Sequence, residues 1–306
     1  MIIGFSVIIP VYNSESTLEP LCERLVMVLE NITEDYEIIL INDGSSDRSS
    51  IIMEKINKIN SNVKIINLMR NYGQHNTLLC GMRIAKYNMT ITIDDDLQYQ
   101  PEEIPKLIEK LNEGYDVVYG YPKKLNHGVY RNIASILTKI ILKTSMGVKT
   151  ARYVSPFRLF KTDLCKAFED YKGAFVSIDV LLSWGTNSFS SILINHDLRS
   201  VGKTNYTLKK LLNHAFNMLT GFTIIPLQIA SLIGFTFSIF GFMILFYVVL
   251  RYFLYGSPVP GFPFIASIIS IFSGAQLLAI GIIGEYIARI HSRVMDKPQY
   301  TIKDSK

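Results

Sequence analysis

The sequence predicts an α/β protein: a mostly parallel, Rossmann-like sheet with helices on both faces, followed by interfacial amphipathic helices and two transmembrane helices. Three observations predict it. Short β-branched runs alternate with helical stretches through roughly the first 120 residues, polar clusters close three of those runs, and two long segments near the C-terminus carry no charge. Strand–helix alternation of this kind gives a parallel sheet covered on both faces. About 20 apolar residues are enough to cross a bilayer core.

The runs FSVIIPV (5–11), YEIILIN (36–42), VKIINL (63–68), MTITI (89–93) and YDVVYG (115–120) are almost wholly apolar, as strands buried on both faces are. Helices are expected between them, over 15–30, 47–60, 73–86 and 102–112. In such sheets ligands bind beyond the carboxyl ends of the strands. PVYNSE follows the first strand, NDGSSD the second and DDDLQ the fourth, so three polar clusters converge on one edge.

Further along, RNIASILTKIILKTSM (131–146) places Arg131, Ser135, Lys139 and Lys143 on one stripe. Ile133, Ile136, Leu137, Ile140 and Ile141 occupy the opposite face. That division suits a helix lying in the headgroup plane, or an ordinary surface helix with a core face. A second amphipathic stretch, 206–220, leads into the uncharged segments. Leu227–Leu250 is 24 residues without a charge and Tyr252–Gly284 another 33, which predicts spans near 227–250 and 263–284. Within them Ala230, Gly234 and Ser238, like Ser270 and Gly274, put small residues at i, i+4. Such spacing allows close helix approach, within one chain or between protomers of a homo-oligomer, a dimer or tetramer.

The 306-residue chain is 49% hydrophobic with a net charge of +5, and the spans hold most of the apolar excess. MIIGFSVIIPVYN is too short an apolar run for a secretory signal and lacks a basic start. Basic residues crowd both flanks of the spans: Arg199, Lys203, Lys209 and Lys210 before them, Arg289, Arg293, Lys297, Lys303 and Lys306 after them. The connecting loop has only Arg251. By the positive-inside rule both termini face the cytoplasm, which expects a multi-pass protein of the cytoplasmic (inner) membrane. The basic balance reads as attraction to anionic lipids; with no basic, aromatic-interleaved motif, no nucleic acid is expected. Cys22, Cys80 and Cys165 are too scattered for a metal or redox motif and read as small hydrophobes.

ITIDDDLQYQPEE (91–103) delivers three adjacent aspartates from a buried-looking strand. In an extended segment alternate residues point the same way, so Asp94, Asp96 and Gln98 present oxygens to one side. Two carboxylates and an amide suit a hard divalent cation, Mg²⁺ or Mn²⁺, that takes its other ligands from phosphate and water. The alternative is a solvated acidic turn ahead of a helix whose N-terminus Glu102 and Glu103 favour. That alternative accounts for the glutamates but not for the companion cluster at Asp43.

SVIIPVYNSE, INDGSSD and DDDLQ followed by PEEI resemble the membrane-anchored family 2 glycosyltransferases that charge polyprenyl phosphates. Examples are the dolichol-phosphate mannose synthases and the bacterial undecaprenyl-phosphate glucose and aminoarabinose transferases. GKTNYTLKKLLNHAFNMLTGF and LLAIGIIGEYIARI extend the resemblance over nearly the whole chain. It implies a GT-A fold, a UDP- or GDP-type nucleotide-sugar donor, a polyprenyl phosphate acceptor and membrane lipids as partners. By residue, it implies that Pro10, Tyr12, Glu15 and Asp43 contact the nucleotide together with Asp94 and Asp95. Asp94, Asp96 and Gln98 hold the metal, with Asp96 catalytic. Arg131, Ser135 and Arg158 contact the lipid phosphate; Arg199 and Lys203 either add to that site or are solvated juxtamembrane charge. At 151–153, where many members carry an aspartate, this chain has Ala151, Arg152 and Tyr153; Asp179 is then the nearest acidic candidate for a catalytic base, or equally a satisfied structural aspartate.

The resemblance implies inverting transfer of one sugar at the cytoplasmic face, serving cell-envelope glycan biosynthesis. Its domain division is a catalytic domain over 1–205, a juxtamembrane helix over 206–226, a two-helix membrane region over 227–284 and a cytoplasmic tail over 285–306. A processive polysaccharide synthase would carry a Q-x-x-R-W motif, and the only tryptophan, Trp184, lies in LLSWGTN. A catalytically silent sugar-binding membrane protein would not need the intact Asp94–Asp96–Gln98 set.

Overall fold

The computed structural model describes residues 4–122, 146–147, 149–173, 175–197, 216–217, 219–256 and 261–306. Arg131, Ser135, Arg199 and Lys203, nearly all of the expected helix 131–146 and most of the stretch 206–226 therefore lie outside the described residues. The chain divides into two compact units, 1–215 together with 297–306, and 216–296. The expected tail 285–306 is thus corrected: its last ten residues belong to the first unit.

The first unit is built on one eight-stranded sheet in the order β7-β5-β6-β4-β1-β2-β3-β8. Strands β1 (Phe5–Val11), β2 (Tyr36–Asn42), β3 (Val63–Leu68), β4 (Met89–Thr92) and β5 (Val117–Pro122) fall where the apolar runs predict them. Every residue of β1 and β2 is buried, because helices cover both faces: α1 (Leu18–Glu30), α2 (Ser49–Ile59), α3 (Gln74–Ile84) and α4 (Ile104–Asn112). Each helix turns apolar residues at i, i+3 and i+4 inward, as Leu18, Leu21, Cys22, Leu25 and Leu29 of α1 do.

β1 to β4 are mutually parallel in the order β3-β2-β1-β4, so the winding reverses between β1 and β4. That reversal opens a crevice at the carboxyl edge. Pro10 helps to make it. Even-numbered residues of β1 face β4, as the Ile93 amide bonding to the Ile8 carbonyl shows. The β1–β4 ladder ends at Ile8–Thr92. Pro10, which has no N–H to give, therefore stands where the two strands have already parted.

Three strands were not expected. β6 (Arg158–Lys161) inserts antiparallel between β4 and β5, β7 (Phe189–Ile194) runs parallel to β5, and β8 (Ile302–Ser305) closes the far edge antiparallel to β3. A short helix, α5 (Ile178–Gly185), precedes β7.

The second unit consists mainly of two helices, α6 (Ile225–Tyr255) and α7 (Phe262–Val294). Segments Ile225–Tyr255 and Ile271–Val294 are long and apolar enough to cross a membrane, and the most apolar window of each is wholly unburied. An exposed apolar surface of that extent is not the surface of a core helix. The helices meet where Phe237 and Phe272 pack edge to face at 5.4 Å between ring centroids and where Gly241 faces Phe272. Among the described residues, a Cβ at Gly234 or Gly274 would meet nothing within 4 Å, so neither glycine is a close-approach point between α6 and α7.

Candidate active site

Three loops converge at the crevice. The β1–α1 loop (12–17) and the β2–α2 loop (43–48) are laced together reciprocally. The Asn13 amide donates to Ser45 Oγ (3.1 Å) and the Ser46 amide to Asn13 Oδ1 (2.8 Å); the Glu15 amide donates to Asp47 Oδ2 (3.1 Å) and the Arg48 amide to Glu15 Oε2 (3.0 Å). Asn13 holds φ +55°, a conformation its short amide tolerates. Glu15, expected at the nucleotide, is therefore engaged in joining two loops.

Asp43, almost fully buried, accepts from the Tyr72 amide on Oδ1 (2.7 Å) and from the Gly73 amide on Oδ2 (2.9 Å). It fixes the third loop, 69–73, against the first two. Gly44 seals the contact: it holds φ +70°, and a Cβ there would lie 2.7 Å from the Asn71 backbone nitrogen. Burial raises the Asp43 carboxyl above the usual aspartate range despite those two amides.

The acidic segment faces these loops. β4 ends at Thr92 and the chain turns at Asp95–Asp96, with Leu97 at φ +60°. The expectation of an extended strand with alternating side chains is corrected by that turn. Asp94 Oδ1 accepts from Gln74 Nε2 at the start of α3 (2.6 Å). Asp95 Oδ2 accepts from the Tyr12 amide (3.1 Å) and the Ser14 hydroxyl. Asp96 Oδ1 accepts from the Gln98 amide (3.2 Å), an Asx turn. Pro10, Val11, Tyr12, Asp43, Asn71, Gly73, Gln74, Asp94, Asp95 and Asp96 line one cleft of about 380 Å³. Gln98 meets Asp96 through its backbone amide and is not among the residues lining the cleft.

Burial, then repulsion from Asp95 and Asp96, pushes the Asp94 carboxyl up to about 7. Such a carboxyl gains most from a positive neighbour. Among the described residues no three His, Cys, Asp or Glu side chains converge as a metal cage. The oxygen-only donors Asp94 and Asp96 fit a hard cation that completes its shell with phosphate and water rather than with protein.

Arg158 and Asp179 are corrected by the structure. Arg158 of β6 is 2% exposed and Asp179 of α5 is 5% exposed. They form a buried ion pair. Arg158 Nε donates to Thr92 Oγ1 (3.0 Å), and the Tyr119 hydroxyl donates to Asp179 Oδ1 (3.0 Å). Neither residue lines the cleft. Arg158 is thus engaged with an interior partner and Asp179 is its counterion, the structural arrangement that the sequence left open for Asp179. Gln74, Asn71 and Gly73 at the cleft and Ser14 behind it were missed by sequence reasoning. NYGQ (71–74) follows the third strand directly, and that position at the carboxyl edge was the available signal.

A mostly parallel α/β sheet whose winding reverses at an acidic, loop-lined crevice has the architecture of proteins that bind ligands beyond the carboxyl ends of their strands. The sequence profile described as Glycosyl transferase family 2 matches residues 6–168, and the chain belongs to that family and is a glycosyltransferase. Among its curated relatives, the undecaprenyl-phosphate 4-deoxy-4-formamido-L-arabinose transferase of Shewanella sediminis is 35% identical over 98% of this chain and 91% of its own length. The corresponding enzyme of Proteus mirabilis is 33% identical over 97% and 92%, and an uncharacterized glycosyltransferase of Bacillus subtilis, YkcC, is 34% identical over 99% and 94%. Glucosyl-3-phosphoglycerate synthase from Mycobacterium tuberculosis, solved with Mn²⁺, UDP and phosphoglyceric acid, shares the fold at TM-score 0.52 and 17% identity, over 71% of this chain and 76% of its own. The GT-A architecture follows from these neighbours.

Proposed function

We propose that this protein transfers a single sugar from a nucleotide-diphosphate sugar to a polyprenyl phosphate, with inversion at the anomeric carbon, at the cytoplasmic face of the membrane. The observation that carries the reading is the meeting of Asp94, Asp95 and Asp96 with the loops after β1, β2 and β3 in one cleft at the switch point. Relatives named for undecaprenyl-phosphate sugar transfer, matched over nearly the full chain, support the acceptor.

The roles follow from the geometry and charge. The backbone of Pro10–Tyr12 and the loop held by Asp43 form the wall for base and ribose. Asp94 and Asp96 face the diphosphate and would hold a Mg²⁺ or Mn²⁺, which when bound offsets the negative charge that develops on the leaving group. Asp95 locks the acidic turn to the β1–α1 loop, so the carboxylates are in position before substrate arrives. A phosphate monoester has its second pKa near roughly 6 and is largely dianionic at neutral pH. The acceptor therefore needs alignment and positive charge more than a base, which agrees with Asp179 being withdrawn into an ion pair. Arg131, Arg199 and Lys203 are proposed to supply that charge, and Ser135 a hydroxyl donor, on the strength of the sequence.

Pairing of β8 with β3 puts 297–306 in the same compartment as the rest of the first unit, which supports an even number of crossings. Purified protein with undecaprenyl phosphate, Mn²⁺ and a panel of UDP- and GDP-sugars, including UDP-linked 4-deoxy-4-formamido-L-arabinose, tests the reading. One donor is expected to yield a lipid-linked sugar and free nucleoside diphosphate, and EDTA to abolish the yield. Turnover that is indifferent to EDTA contradicts the cation site.

A further inference from the structure

We propose that the C-terminal segment 299–306 is a positioning element of the donor cleft: it braces the loop 69–73 from the side opposite Asp43. This rests on the reading of the cleft as a nucleotide-sugar site.

The segment is tied down along its length. Ile65 and Lys306 exchange both backbone hydrogen bonds, each 2.9 Å, and Asn67 Nδ2 donates to Asp304 Oδ1 (2.6 Å). Lys306 pairs with Glu54 on α2. At the other end Gln299 Nε2 donates to the Tyr171 carbonyl (2.8 Å), and the Arg83 guanidinium lies 5.7 Å from the Tyr300 ring centroid. A strand fixed at both ends against α2, β3 and α3 is part of the fold, although all four residues of β8 are exposed on their outer side.

The bond that matters comes where β3 gives way to the loop. The Met69 amide donates to the Thr301 carbonyl (2.9 Å), and the β3–β8 register slips between Asn67 and Leu68. One turn on, the Arg70 guanidinium stacks 4.5 Å from the Tyr72 ring centroid. The loop is thus held at the Tyr72 and Gly73 amides by Asp43 and at the Met69 amide by the C-terminal segment. Asn71, Gly73 and Gln74 line the cleft, and Gln74 bonds Asp94. Gly73 holds φ +90° and nothing lies within 4 Å of where its Cβ would be. Gly73 itself offers no side chain to pack, so the loop is held through its backbone, by Asp43, by Asn76 and Thr77 of α3 and by the C-terminal segment.

The full-length protein, a variant ending at Asp296 and Asp304→Ala, which removes the tie to Asn67, are compared by amide hydrogen exchange and by titration with UDP and with GDP in the presence of Mn²⁺. Loss of the brace is expected to speed exchange at Tyr72 and Gly73 while leaving Val7–Ile9 unchanged. It should weaken nucleotide binding about tenfold in the truncated chain, the scale of one or two hydrogen bonds, and less in Asp304→Ala. Unchanged exchange at Tyr72 and Gly73, or faster exchange with unchanged affinity, overturns the proposal. Should the truncated chain not fold, Asp304→Ala decides by the same two readings. If the full-length protein binds neither nucleotide, the nucleotide reading fails and the exchange comparison alone decides whether the segment braces the loop.

Discussion

Arg158 and Asp179 show what a single residue type can and cannot disclose. A buried guanidinium with its counterion removed is left uncompensated in a medium that solvates it poorly. Breaking a buried pair in this way costs about 3–5 kcal/mol. Asp179→Asn is therefore expected to lower the unfolding temperature of the purified protein clearly, while kcat of the folded fraction falls less than about a hundredfold, below the usual reach of a lost general base. A larger fall in kcat with unfolding temperature and donor binding unchanged would make Asp179 the base after all. The sequence offers Arg158 and Asp179 only as two polar residues 21 positions apart. Their pairing depends on β6 inserting between β4 and β5, which no local pattern reveals. The aspartates at 94–96 were legible because a buried strand delivering three carboxylates demands a purpose; the turn at Leu97, which sets where they point, was not.

Among the elements, the first five strands and four helices were legible because apolar runs and helical stretches alternate there. β6, β7 and β8 lie outside that alternation, and their sequences, RLFK, FSSILI and IKDS, take their conformation from the strand they join rather than from intrinsic preference. β8 could least be foreseen, since its partner β3 is more than 200 residues away. The spans α6 and α7 run longer than predicted, to 31 and 33 residues, because helical structure continues past the apolar window. That continuation leaves the topology prediction intact. A cysteine at Pro258 is expected to react with an impermeant thiol reagent on intact cells and one at Lys303 is not. The reverse pattern would put the catalytic unit on the outer side.

For the whole molecule, an acidic cleft at the edge of an α/β sheet is joined in one chain to two apolar helices whose most apolar windows are unburied. A water-soluble donor and a membrane-bound acceptor would need both. The central claim is that the nucleophile is a phosphate rather than a hydroxyl. The most direct measurement supplies the productive donor with either undecaprenyl phosphate or undecaprenol, at equal concentration in the same vesicles, and follows nucleoside diphosphate release together with the mass of the lipid product. The account predicts release matched one to one by a sugar–phosphate–lipid product with the phosphate acceptor, and no transfer to the alcohol. Equal transfer to undecaprenol, or nucleoside diphosphate release without any phosphate-linked product, would contradict it.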